Sequence, residues 1–185
     1  MIFFHSFSTQ FGDISIIWKQ KSKLIAIQRI FLSNSQNSAV DQQKYKFPSA
    51  KIGTNPHITS LVNKIQGFFS EEPVSFALDL LDFSVCSSFQ KKVIVTEATI
   101  PRGRVSTYNL IANIIGKPNS SRAVARALAT NPFPIIIPCH RTVRSDGAIS
   151  GYQGGKEMKC KLLNMEGVQI NSKLKINLQK FIFDF

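Results

Sequence analysis

The stretch NPFPIIIPCHRTVRSDG, residues 131–147, constrains this chain more than any other. An isoleucine run ends at Pro138, and Cys139, His140 and Arg141 follow it side by side. An apolar run of this length is expected to be a core strand. The fold must therefore close a core around it and present a thiol, an imidazole and a guanidinium at its lip. A cysteine is a nucleophile only as the thiolate, and an ordinary thiol, with a pKa of about 8.5, supplies little of that at neutral pH. A base or a positive group must stand close by. His140 is adjacent, but successive residues of an extended segment point to opposite faces. Cys139 and His140 can then meet only through a turn or a bridging water. An imidazole acting as base also wants an acceptor at its second nitrogen. Glu166, in NMEGV at the end of a predicted helix, is the candidate. The plainer reading of Cys139 is a small buried hydrophobe.

Around this stretch the chain reads as a two-part molecule. DISIIWK (13–19) and KLIAIQRIFL (23–32) are β-branched runs separated by a short polar turn, which suits a hairpin. Residues 33–47 are polar and read as a loop. Ile58, Leu61, Val62, Ile65, Phe68 and Phe69 fall at helical spacing, one buried face of an amphipathic helix. VSFALDLL (74–81) reads as a return to the sheet. With 185 residues, 43% of them hydrophobic, the chain can bury a sizeable core. No apolar run approaches the roughly 18 residues of a membrane span, and the start MIFFHSFSTQFGD lacks the basic region and cleavage site of a signal peptide. Cys86, Cys139 and Cys160 are an odd, sparse set, as expected in a reducing compartment. His5 and His57 stand alone, no Cys/His spacing suits a metal, and none is expected.

The character changes near residue 87. Phe89, Val93 and Ile94 open a helical pattern that Pro101 and Gly103 break. STYNLIANIIG (106–116) reads as a helix capped by Ser106 or Thr107 and stopped by Gly116, with Leu110, Ile111, Ile114 and Ile115 on one face. Ser120 or Ser121 caps a second helix, RAVARALATN, ended by Pro132. Two short capped helices around a turn with Gly and Pro form a helix-turn-helix pattern. Net charge is +12, and residues 88–170 hold twelve Lys or Arg against four Asp or Glu. Such a bias points to a polyanion, most often nucleic acid. Arg122 and Arg126 lie four apart and share a face of the second helix, where DNA contact is expected.

The string RAVARALATNPFPIIIPCHRTVRSDGAISGYQGGKEMKCKLLNMEG closely resembles the O6-alkylguanine-DNA alkyltransferases, the methylated-DNA–protein-cysteine methyltransferases. Pro-Cys-His-Arg follows an aliphatic run. Arg-Ala-Val and Asn-Pro precede it, and Gly-Tyr-x-Gly-Gly and Glu-Gly come after it, over roughly residues 88–168. The resemblance implies an α+β protein of two domains. Residues 1–87 would form a small antiparallel sheet with a helix. Residues 88–170 would form a mostly helical, winged-helix-like domain that binds DNA and carries the alkyl acceptor, and residues 171–185 a tail apolar enough to pack on the body. It implies repair of double-stranded DNA by irreversible transfer of an alkyl group from guanine O6, with O4-alkylthymine an open alternative. Cys139 would be the acceptor and His140 a base acting through water. Glu166 would orient the imidazole, Asn131 brace the backbone, and Tyr108 and Lys159 help guanine leave. Arg122 would replace the flipped nucleotide in the stack. Ala123 and Ala125, like Ala127, would let the helix approach the minor groove, with Arg126 and Arg141 adding positive charge. Tyr152, Gly154 and Gly155 would shape the pocket, and Gln153 would tune which alkyl groups fit. No cofactor and no membrane are implied, and the protein would be a cytoplasmic monomer.

Plainer readings stand beside these. Tyr108 could be a core tyrosine, Lys159 a surface lysine and Asn131 a helix stop; Cys86 and Cys160 read as packing thiols. Arg126 stands where the family mostly has a small residue. The rival functions are a non-catalytic alkyltransferase-like lesion binder, a transcription regulator and a cysteine hydrolase. The lesion binder carries Trp in place of the acceptor, and Cys139 argues against it.

Overall fold

The computed structural model describes residues 1–21 and 24–185. Its first unit, Met1–Val85 with Pro132–Ile136, is built on a sheet of order β3-β2-β1-β4, with β1 Ile2–Thr9, β2 Gly12–Lys21, β3 Leu24–Leu32 and β4 Lys51–Ile52. β2 pairs antiparallel with both β1 and β3, as the hairpin reading expects, although part of the turn, Ser22 and Lys23, lies outside the described residues. β4 joins β1 in parallel, so the sheet is mixed rather than purely antiparallel. Ile14, Ile16, Ile17 and Trp18 are all buried. Both faces of β2 are therefore covered, and the strand reads as an apolar run rather than an alternation. Ile17 opposes Arg29 while Trp18 opposes Ile27. Gln28 is thus the extra residue of a bulge, which resets which residues of β3 face which side.

Residues 33–47 are a loop only in their first half. Helix α1, Ala39–Lys46, starts where Ser38 Oγ accepts from the Asp41 amide at 3.0 Å. Asp41 near its start and Lys44 and Lys46 near its end suit the helix dipole. Helix α2, Pro56–Phe69, is capped by Asn55 and buries the six apolar residues its spacing marks. Residues 74–81 do not return as a strand. Leu81 alone bridges, to Ile27, and a turn closed by the Leu81 amide on the Leu78 carbonyl ends the pairing there.

The expected core strand over residues 133–137 is instead an irregular buried segment. Pro132, Pro134 and Pro138 have no N–H to give a ladder, and Ile135 takes φ +73, a conformation a β-branched residue seldom adopts. Phe133, Ile135, Ile136 and Ile137 are buried all the same.

The second unit is Cys86–Asn131 with Ile137–Phe185. It contains α3 Ser88–Glu97, α4 Tyr108–Ile114, α5 Ser121–Ala129, α6 Gly155–Met165 and α7 Leu178–Phe181. Thr107 caps α4 through a bond from the Leu110 amide to its Oγ1. α4 and α5 pack as a helix-turn-helix, but of the four apolar residues assigned to one face of α4 only Ile111 is fully buried, and Ile114 is 51% exposed. β5 Ser106–Thr107 lies parallel to β6 Thr142–Val143. Val105, Val143, Ile149, Leu163, Val168, Ile176 and Phe181 form a core beside it. The C-terminal residues are thus part of this core. Val105 donates its amide to the Phe181 carbonyl and accepts from the Phe183 amide. Among the described residues no helix is long and apolar enough to cross a membrane.

Candidate active site

Cys139, His140 and Arg141 form a single 3-10 turn, and this turn resolves the opposite-face problem of an extended segment. Cys139 is buried, and its Sγ accepts a hydrogen bond from Asn131 Nδ2 at 3.2 Å. The same amide reaches the Ile137 carbonyl at 3.3 Å, so Asn131 ties the thiol to the backbone that enters the turn. Burial pushes the Cys139 thiol up to about 12, against the opposing pull of the Asn131 bond and the Lys159 charge. The resting group is therefore the thiol, which is a nucleophile only once a neighbouring group has taken its proton.

His140 and Glu166 meet at 3.0 Å, Nε2 to Oε1, with both side chains shut off from solvent. Burial lowers the imidazole pKa although Glu166 opposes it. His140 is thus neutral at neutral pH. Burial would raise the Glu166 carboxyl, but His140 and Arg141 outweigh it and hold the group at about 2. A carboxylate only accepts, so Nε2 carries the ring proton and Nδ1 has the basic lone pair. Glu166 is placed by the end of α6. Gly167, at φ +83, donates to the Asn164 carbonyl, and the Val168 amide donates to the Leu163 carbonyl. This pair of bonds is the Schellman end that a glycine permits.

Arg141 does not face a polyanion. Its Nε and Nη2 grip Glu166 at 2.9 and 2.7 Å, and Nη1 donates to the Ile100 carbonyl at 2.6 Å. The expected DNA contact at Arg141 is replaced by an inward clamp that fixes the carboxylate for His140.

Lys159 is wholly buried, so the surface-lysine reading fails. Its Nζ donates to the Thr142 carbonyl at 2.6 Å and to Ser150 Oγ at 2.9 Å. Burial brings its pKa down to about 8. Tyr108 Oη lies 2.5 Å from Ser150 Oγ. The Tyr152 ring stands edge-on to His140, centroids 6.2 Å apart, and its hydroxyl oxygen is buried with no hydrogen-bond partner among the described residues. Gly154 and Gly155 open α6. A Cβ on Gly154 would run into Met158 Sδ, so a larger residue there would have to push that flexible side chain aside. Gln153 donates to the Asn131 carbonyl at 2.6 Å, which ties this loop to the residue that holds the thiol.

On α5, Arg122, Ala123 and Arg126 are exposed, Ala125 is half-buried and Ala127 lies inward. Ala127 therefore does not serve a close approach to DNA. Arg122, Ala123 and Arg126 line a shallow groove with Phe89 and Gln90 of α3. Among the described residues no His, Cys, Asp or Glu cluster could hold a metal ion.

Sequence reasoning missed three members of this site. Thr142 and Ser150 carry no motif of their own. Glu97 is buried beside them, and its signal was position: it falls three and four residues after Ile94 and Val93, on the apolar face of α3.

Residues 88–168 match the family model described as the 6-O-methylguanine DNA methyltransferase DNA-binding domain. A methylated-DNA–protein-cysteine methyltransferase of Methanothermobacter thermautotrophicus is 44% identical over 116 residues, 63% of this chain and 65% of that protein. The match thus spans just under two thirds of that relative. The constitutive methylated-DNA–protein-cysteine methyltransferase of Bacillus subtilis is 32% identical over 94% of this chain and 100% of its own length. A crystal structure of a Mycobacterium tuberculosis OGT variant superposes with TM-score 0.73 at 25% identity, over 94% of this chain and 98% of that one. A structure of M. tuberculosis OGT in complex with DNA gives 0.70 at 25% identity, over 88% and 91%.

Proposed function

This chain belongs to the methylated-DNA–protein-cysteine methyltransferase family, and on that premise we propose that it repairs double-stranded DNA by moving an alkyl group from guanine O6 to its own Cys139. One observation carries the reading: a buried, undissociated thiol held by Asn131, next in sequence to a neutral imidazole whose far nitrogen rests on a clamped carboxylate. His140, through a bridging water, takes the thiol proton, and Glu166 stabilises the imidazolium that forms. The thiolate attacks the alkyl carbon, the S–C bond forms, and the C–O bond breaks with its electron pair on guanine. Tyr108, backed by Lys159 through Ser150, donates a hydrogen bond or a proton to that leaving purine, which is a poor leaving group without it. The product thioether has no easy route back to thiolate, so each molecule acts once and needs no cofactor.

The second unit works as the DNA-binding and acceptor domain, with the first unit as its structural companion. α5 meets the minor groove through Ala123 and Ala125. Arg122 enters the stack where the damaged nucleotide has flipped out, and Arg126 neutralises phosphate. Tyr152, Gly154 and Gly155 shape the pocket that receives the base. The relatives' names and the DNA-bound OGT structure support DNA as the partner. The protein acts inside the cell as a monomer.

The test is intact-protein and peptide mass spectrometry after mixing with an oligonucleotide that carries one O6-methylguanine. The expected result is one added methyl per protein, on Cys139, ending at one equivalent; Cys139→Ser gains none but still binds the lesion. Lesion binding without any gain by the native protein overturns alkyl transfer in favour of a non-catalytic damage binder. Repeated turnover overturns it in favour of a hydrolase.

A further inference from the structure

Glu97 is a buried acid for which the transfer step above has no use. It ends α3, where the negative end of the helix dipole makes a carboxylate least welcome, and its side chain is closed to solvent. One oxygen, Oε2, accepts from Thr142 Oγ1 at 2.5 Å. The other, Oε1, has no hydrogen-bond partner among the described residues. Burying an acid in this way is costly unless a cation compensates for it. Lys159 is that cation. Thr142 bridges the two, since its hydroxyl donates to Glu97 while its carbonyl accepts from Lys159.

From Lys159 the chain of contacts continues through Ser150 to Tyr108. Its polarity depends on the lysine. An ammonium has donors only, so it must donate to Ser150 Oγ. The serine hydroxyl then has its proton available for Tyr108 Oη, which leaves the tyrosine O–H to point at a substrate. A neutral amine gains a lone pair and can accept from Ser150, which the ammonium cannot. Where it does, Tyr108 donates back into the protein, and its proton is lost to the reaction.

We propose that Glu97 is a positioning residue: it is the buried counter-charge that keeps Lys159 an ammonium and, through Thr142 and Ser150, fixes Tyr108 as a proton donor to the departing guanine. The direction of this chain rests on the alkyl-transfer reading; the coupling of Glu97 to Lys159 does not. The balance is complete. Tyr108 gives its proton to the purine and regains one from Ser150. Ser150 takes its replacement from the Lys159 ammonium, which ends as the amine.

Charge supports the geometry. Burial raises the Glu97 carboxyl to about 7, with Thr142, Lys159 and Arg141 drawing it down. Lys159, brought down to about 8 by burial, is held up by Cys139, Glu97 and Cys160. Glu97 also faces Cys139 and Tyr108, and raises both. His140 is depressed by Lys159. Each member of the Glu97–Lys159 pair thus favours the charged form of the other against the burial that opposes both.

The experiment follows the 13Cε signal of Lys159 with pH, and in parallel the rate of transfer from O6-benzylguanine free base with pH, for the native protein, Glu97→Gln and Thr142→Val. Glutamine keeps the shape of Glu97 and removes its charge. Valine removes the hydroxyl that favours the ionised carboxyl. In both variants the Lys159 midpoint and the alkaline limb of the rate profile are expected to move down by about one pH unit. Ser150→Ala should lower the rate about tenfold without moving the Lys159 midpoint. An unmoved Lys159 midpoint in folded Glu97→Gln overturns the proposal. So does an equal loss of rate at every pH, which is the signature of a structural role. A shifted Lys159 midpoint in a protein that transfers no alkyl group leaves the Glu97–Lys159 coupling standing and removes the alkyl-transfer reading instead.

Discussion

His140 Nε2 rests on Glu166 Oε1 at 3.0 Å, and Arg141 holds the same oxygen at 2.7 Å through Nη2. One buried carboxylate thus serves two basic side chains adjacent in sequence. It fixes the imidazole tautomer, and the guanidinium prevents the carboxylate from turning away. Glu166→Gln replaces an acceptor-only group with one that also donates. The amide then faces either His140 or Arg141 with the wrong sign. The expected result is a transfer rate lower by about a hundredfold and a fold weaker by about 3 kcal/mol, the usual cost of breaking a buried pair on one side. Single-turnover kinetics and urea unfolding read the two losses separately.

The same residue sets the pH dependence of the Glu166→Gln penalty. The folded-state pKa of Glu166 is depressed to about 2 from an ordinary 4.5. Its contribution is therefore fully present above pH 4.5 and is lost as pH falls toward 2. The unfolding midpoint of Glu166→Gln should lie furthest below that of the native protein near neutrality, and the two should converge in acid. His140 acts in the same direction. Its folded-state pKa is lowered by burial, so the unfolded chain takes up a proton that the native state refuses as pH falls through 6.5. Glu97 acts oppositely, because its folded-state pKa is raised to about 7: its protonation favours the fold below 4.5, and that benefit is lost as pH rises to 7. Urea titrations at a series of pH values check all three slopes. A Glu166→Gln penalty that stays constant from neutrality down to pH 3 contradicts this account.

Much of the site was legible in the sequence because its chemistry sits in contiguous residues. Pro138 to Arg141 name the thiol and the base, and the Glu166–Gly167 pair marks a helix end by glycine's backbone freedom. What was hidden depended on tertiary placement. Lys159 reads as any helical lysine until three-dimensional packing encloses it. Arg141 reads as a DNA contact until Glu166 is seen within reach. Glu97 lies on the apolar face of α3, but a glutamate in a helical pattern is usually solvated. The fold shows the same division. α2 was plain from its six periodic apolar residues, whereas α1 was hidden because a polar helix of eight residues announces itself only through its Ser38 cap. The run at residues 133–137 was apolar enough for a strand, but its prolines removed the ladder donors.

Gly167 gives a test of how Glu166 is placed. Its φ of +83 is in the left-handed region, and a Cβ there would meet nothing within 4 Å. Any cost of Gly167→Ala is then conformational rather than steric, about 1 kcal/mol. A lower thermal midpoint is expected, with a modest fall in transfer rate as the Glu166 carboxylate loses its fixed position. A rate that falls at least as far as in Glu166→Gln would mean that the cap does more than position the carboxylate.

Arg122 and Arg126 share the exposed face of α5 but are assigned different work, and two measurements separate them. Arg122 is proposed to fill the stack that a flipped guanine leaves. Arg122→Ala should therefore slow transfer from duplex DNA about a hundredfold, a loss of order 3 kcal/mol in keeping with the cost of unstacking a base unaided, while transfer from free O6-benzylguanine stays near native. Arg126 is assigned only a phosphate. Arg126→Ala should weaken binding to damaged and undamaged duplex alike and reduce the slope of log affinity against log salt by about 1. Equal losses on duplex and free base would remove the flipping role from Arg122, and an unchanged salt slope would place Arg126 away from the DNA.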